Sequence, residues 1–140
     1  MLAPSIRRFQ MADLSLHGAW FLERIMKAFP HRNQYEIAGW LQGMVYSNDH
    51  LFLFADFGAA MFERTQFFSL EATQTIIERF VFAQPGHEEQ AAGFYEEAKQ
   101  WAKSQGIQVM VVEEMTDVPH DLIAKAIGKL HTRQQVFAKI

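Results

Sequence analysis

Three histidines, His87, His120 and His131, could carry protons or hold a metal. None lies three or four residues from another, the spacing that would aim two rings from one helix at one ion. Surface histidine is the ordinary reading of each. The carboxylates stand out through their neighbours: Glu78 interrupts the apolar run 76–83, and Glu113-Glu114 close the run 107–112. Strand alternation points Glu78 towards solvent or the neighbourhood of Arg79, and the Glu113-Glu114 pair ends its strand in water. Glu88-Glu89 open a helical run, where negative charge suits the positive end of the helix dipole. The sequence holds no Ser/His/Asp arrangement, no Gly-x-x-x-x-Gly-Lys loop, no Gly-x-Gly-x-x-Gly fingerprint and no zinc spacing. With no cysteine, disulfides, thiolate clusters and cysteine nucleophiles are excluded.

The background composition is that of a globular chain. Its 140 residues suit one domain spanning 1–140, and a net charge of -3 gives no general pull towards nucleic acid or an acidic membrane. No apolar stretch reaches the roughly 18 residues of a membrane span. Arg7 and Arg8 come early with no unbroken apolar run behind them, so no secretory leader is read. A cytoplasmic protein is expected.

Periodicity predicts the elements that would position these groups. Residues 5–10, with Ile6 and Phe9, predict a short edge strand. Asp13 or Ser15 is the expected cap of a helix whose stripe is Leu14, Gly18, Phe21, Leu22, Ile25 and Phe29, and Pro30 stops it. A second helix is predicted over 34–46 from Ile37, Trp40, Leu41, Met44 and Val45. Residues 51–54 and 60–68 read as a hairpin broken at Asp56-Phe57-Gly58, and 76–83 as the next strand, closed by Pro85-Gly86. Ala91, Phe94, Tyr95, Ala98, Trp101 and Ala102 share the apolar face of a long helix that Gly106 ends. The strand 107–112 follows at once, the succession expected of a crossover between parallel strands. Asp117 is the expected cap of a short helix ending at Gly128, and 129–140 read as one or two closing strands. The class is α/β: a central mixed antiparallel and parallel sheet flanked by about four helices. Thirteen Phe and seven Met are more than one core readily uses. Phe62, Phe67, Phe68 and the Trp20-Phe21 region are therefore expected to reach the surface as a patch for a protein partner or self-association.

This order of elements resembles the GNAT superfamily of acyl-CoA N-acyltransferases. The resemblance is carried by the strand 76–83, the loop 84–90, the helix through Trp101-Ala102 to Gly106, the strand 107–112 and the helix ending at Ile127-Gly128. It implies a gap between the fourth and fifth strands that admits acyl-CoA, with the pyrophosphate on backbone N–H groups of the following loop. The family loop reads Arg/Gln-x-x-Gly-x-Gly/Ala. One frame sets Gly86-His87-Glu88-Glu89-Gln90-Ala91 on it, where only Ala91 conforms. The other sets Gln90-Ala91-Ala92-Gly93-Phe94-Tyr95 on it, which restores Gln90 and Gly93 but puts Tyr95 at a small position. Glu88 and Glu89 add negative charge where phosphates would dock. The family's closing-helix tyrosine, four residues before its Gly, falls on Ala124.

The reading these departures favour is a non-catalytic GNAT-like protein without cofactor, acting through protein contacts. Its layout at Trp101-Ala102…Gly106, Thr116-Asp117-Val118-Pro119 and Ile127-Gly128 is similar to that of GNAT-like proteins in tailed-phage morphogenesis clusters, which implies a virion component or assembly factor. The alternative is an acetyl-CoA-dependent N-acetyltransferase. The resemblance then implies Glu78 or Glu113 as the base and Gln84, Gly86, Gln90, Ala91 and Gly93 around the cofactor. A further alternative is a small-ligand binding module that uses the strand cleft.

Overall fold

The computed structural model describes residues 6–16, 19–65, 74–112 and 115–128. Its strands form one sheet in chain order: β1 (Arg7–Arg8), β2 (His50–Ala55), β3 (Gly58–Thr65), β4 (Thr75–Ala83) and β5 (Met110–Val111). Pairing is antiparallel from β1 to β4 and parallel between β4 and β5. The mixed sheet expected from the sequence is present. Among the described residues, helical segments before β2 are α1 (Ala12–Leu16), α2 (Ala19–Ala28) and α3 (Gln34–Val45). The parallel crossover is made by α4 (Glu88–Ala91) and α5 (Gly93–Ser104), and α6 (His120–Ile127) follows β5.

The sheet is buried on both faces, because nearly continuous apolar strands present side chains to each side. On one face Phe21, Ile25, Ile37 and Leu41 of α2 and α3 pack against Phe52, Phe54, Met61, Phe80 and Phe82. On the other, Phe94, Tyr95, Ala98 and Ala102 of α5 and Ile123 of α6 meet Leu51, Leu53, Ala60, Phe62, Ile76 and Val81. Asn33 caps α3, its Oδ1 accepting the N–H groups of Tyr35 and Glu36 at 2.9 Å each. Gly128 ends α6 at φ 100°, as its position predicts.

At the β2–β3 hairpin, Gly58 faces Ala83 across the ladder. A Cβ there would collide with the carbonyl oxygen of Phe82 and come within 3.1 Å of the Phe94 ring. Gly58→Ala must part β3 from β4, and we expect it to lower stability by about 2 kcal/mol, read from the midpoint of urea unfolding.

Several expectations need correction. Asp13 does not cap a helix: it lies inside α1, accepts the Gln10 N–H at 2.8 Å and pairs with Arg7. The rod expected from Ala91 to Gly106 is present as the end of α4 and the whole of α5, with Ala92 between them in right-handed helical conformation. The fifth strand is shorter than 107–112. Phe21 and Phe62 are fully buried, because the helices cover both sheet faces; among the described residues the exposed large apolar side chains are Met26, Tyr35, Trp40 and Tyr46. Phe67, Phe68, His131 and the closing strands expected over 129–140 lie outside the described residues.

Candidate functional site at the parting of β4 and β5

β4 carries one residue more than its partner. Phe62 pairs with Glu78 and Met61 with Phe80, so Arg79 bulges out of the ladder. The bulge shifts the alternation: Ile76 and Val81 join the core under α5, while Phe80 and Phe82 join the opposite one. Glu78, two residues from Ile76, shares its face and points under α5. Instead of facing solvent or Arg79, Glu78 is fully buried and accepts the hydroxyl proton of Tyr95 from α5. Arg79 pairs with Glu63 on β3.

Tyr95 spans the parting between the parallel strands. Its one proton goes to the carboxylate, so the Thr116 hydroxyl, 2.9 Å away, donates to the phenol oxygen, and the Val118 N–H reaches Thr116 Oγ1 at 3.1 Å. Burial first, and then the Glu78 carboxylate, push the Tyr95 hydroxyl far above the usual phenol range. The sign follows from proton counting. Above pH about 10 the unfolded phenol loses its proton while the native one keeps it, so stability falls by up to about 1.4 kcal/mol per pH unit. Tyr95→Phe should remove that part of the alkaline slope in urea titrations run from pH 8 to 11.

β4 and β5 pair at Ile76↔Met110 and Ile77↔Val111, and among the described residues the next pairing of β4 on this side is an isolated bridge, Val81↔Thr116, beyond the bulge. There Val81 N–H donates to Met115 O at 3.0 Å and Asp117 N–H donates to Val81 O at 2.9 Å. Asp117 is therefore not a helix cap; Pro119 holds the cap position of α6 with no side-chain bond. Its carboxylate accepts the Ala83 N–H at 3.0 Å and pairs with Arg24 of α2 at 2.8 Å.

Gln84 is tied to the β2–β3 turn, its N–H on Phe57 O and its Nε2 on Asp56 O at 2.8 and 2.7 Å. Gly86 takes φ 86°, and its N–H reaches Glu88 Oε1 at 3.4 Å. His87 bonds Gln90 through its ring and leaves α4 without a side-chain cap. Ala91 is buried, and Gly93 faces Ile6. Glu113 lies outside the described residues. Glu78 thus sits at the parting itself, while Gln84, Gly86, Gln90 and Ala91 line the turn beyond it. Tyr95, Thr116, Asp117 and Arg24 complete the cluster. Tyr95 was legible only as a poor match at a small position, and Arg24 had no signal at all, because its partner is 93 residues away.

A second polar row joins Ser47 Oγ to His50 Nδ1 at 2.7 Å and His50 Nε2 to Glu63 at 3.2 Å. The Asp49 N–H already donates to Ser47 Oγ, so the row closes the turn into β2. Two surface cavities lie apart from the parting. One, of about 180 Å³, is lined by Arg8, Met44 and His50. The other, of about 360 Å³, is lined by Phe29, Arg32, Glu36 and Trp40. Among the described residues, no group of three or more His, Asp or Glu could hold a metal. No helix among them is long and apolar enough to cross a membrane.

No family model matches the chain, and no curated protein does. Solved structures do. The aminoglycoside antibiotic 6'-N-acetyltransferase of Acinetobacter baumannii superposes with a TM-score of 0.70 at 12% identity, over 93% of this chain and 92% of that one. The chain has the GNAT fold. A predicted acetyltransferase of Clostridium acetobutylicum, solved with acetyl-CoA, gives 0.68 at 14% identity over 94% and 92%. Glucosamine-6-phosphate N-acetyltransferase of Arabidopsis thaliana gives 0.69 at 12% identity over 94% and 95%.

These neighbours correct the reading of a non-catalytic virion component or assembly factor without cofactor. Proteins that share the GNAT fold with this chain across nine-tenths of their length are acetyltransferases, one of them holding acetyl-CoA, and nothing among them bears on phage assembly. Of the loop departures that suggested otherwise, Gly86 takes a positive φ two residues before α4, while Glu88 and Glu89 lie in its first turn and Tyr95 in α5. As arranged, however, the parting does not fit acyl-CoA. Thr116 and Tyr95 fill it, and the β4 N–H groups of Val81 and Ala83 already have partners.

Proposed function

We propose that this chain is an acyl-CoA-dependent N-acyltransferase acting on a small amine. One observation carries the reading: beside the β4 bulge of the GNAT sheet stands a buried carboxylate, Glu78, at the parting from β5. Acylation of an amine needs the amine without its proton, and Glu78 is the group placed to take that proton. The Tyr95 hydroxyl fixes the orientation of the carboxylate, and the apolar walls of Val81 and Phe62 keep water from it. The amine class follows from the likeness to enzymes named for aminoglycoside and glucosamine-6-phosphate acetylation.

The test is direct. Acetyl-CoA is titrated calorimetrically, and thiol release is then followed with aminoglycosides and amino sugars as acceptors. Because the chain has no cysteine, every thiol that reacts with the reagent is freed CoA. Saturable binding with amine-dependent thiol release is expected. A flat calorimetric trace together with no release from any acceptor refutes the reading.

A further inference from the structure

The segment from Met115 to Val118 runs along β4 like a strand, yet only the bridge at Val81↔Thr116 ties it into the sheet. Its side chains alternate. Met115 packs with the α2–α3 core, Thr116 reaches Tyr95, Asp117 turns back to Arg24, and Val118 is buried beneath α5 and α6. Three polar groups of the β4 edge are used: Val81 N–H on Met115 O, Val81 O on the Asp117 N–H, and Ala83 N–H on Asp117 Oδ2. The Asp117 carboxylate is held from the far side by Arg24, whose guanidinium lies 4.2 Å from the centroid of the Phe82 ring. Both partners are partly open to water, the Arg24 side chain 30% and that of Asp117 25% exposed.

We infer that residues 115–118 form a strap, latched by the Arg24–Asp117 pair, that must lift from β4 before a ligand can enter the parting or reach Glu78. Each N–H on the β4 edge serves one acceptor, so a ligand lying along that edge competes with the strap for the same groups. Thr116 also stands against the Tyr95 hydroxyl, and so covers the carboxylate behind it. If the open form is a minor population, apparent affinity falls by the fraction that is open, and loosening the latch restores it. The identity of the ligand, acyl-CoA, rests on the acyltransferase reading; the opening itself does not.

Two variants separate these claims. Arg24→Met removes the charge while keeping an apolar stem over Phe82, and Asp117→Ala removes both the ion pair and the bond to Ala83. Amide hydrogen exchange reads the strap without any ligand. Protection at Val81, Ala83 and Asp117 should fall by about tenfold or more in the variants, with amides of the β2–β3 ladder unchanged. Acetyl-CoA should bind both variants about tenfold more tightly than the parent chain. Strap and ladder amides exchanging in step in all three proteins would overturn the strap. Faster strap exchange with measurable but unchanged acetyl-CoA affinity would overturn the competition and leave the acyltransferase reading standing. Faster strap exchange with no acetyl-CoA bound by any of the three would refute the acyltransferase reading and support a strap that opens.

Discussion

Glu78→Gln lowers the rate of amine acylation by about 100-fold or more, the usual contribution of a positioned general base. The substitution keeps size and shape, and the amide oxygen of Gln still accepts the Tyr95 hydroxyl proton, so the α5 contact persists. What disappears is the ability to take a proton. The fall should therefore lie in kcat, with little change in KM for acetyl-CoA, and should persist at saturating amine. Urea unfolding of the same variant separates chemistry from folding. A variant that folds like the parent and turns over like it assigns Glu78 to the core alone.

Phe80→Ala lowers stability by about 4 kcal/mol, a large part of the roughly 5–15 kcal/mol that holds a typical domain. Phe80 is fully buried, stacks on Phe82 at 4.7 Å and meets Phe52 edge-on at 5.9 Å and Phe21 at 5.9 Å. Three aromatic rings from β2, β4 and α2 thus converge on one side chain, and alanine leaves a cavity that rigid neighbours cannot close. Guanidinium or urea titration gives the value directly. A loss below about 1 kcal/mol would mean that the core relaxes around the site as if Phe80 were peripheral. Because Phe80 follows the bulge at Arg79, the variant also reports how firmly the shifted register is held.

Local pattern made some features legible. The stripe of Ile37 and Leu41 marks α3; the β-branched and aromatic run around Ile76–Phe82 marks β4; Gly128 marks the end of α6. The helix, glycine and strand in succession around Gly106 announced the parallel pairing of β4 with β5. In each case the signal lies within a few residues, where side-chain period or backbone freedom acts directly on the chain.

The candidate site was much less legible. Glu78 is visible as a candidate, but alternation alone does not tell a solvated face from one that a helix covers. The face Glu78 shares with Ile76 is closed by α5, whose Tyr95 comes from 17 residues away. Asp117 before Pro119 looks like a helix cap at short range, yet its carboxylate is claimed by Arg24 and by the Ala83 N–H. The phenylalanines looked too many for one core because a sheet covered on both faces has two apolar layers to fill.

Composition and periodicity by themselves determined the class, the order of the main elements and the crossover, since these depend on burial patterns written along the chain. The tertiary structure alone decided where Glu78 points, what covers it and which charge latches that cover. Those outcomes depend on groups brought together across dozens of residues, and no local pattern records which distant partner will arrive.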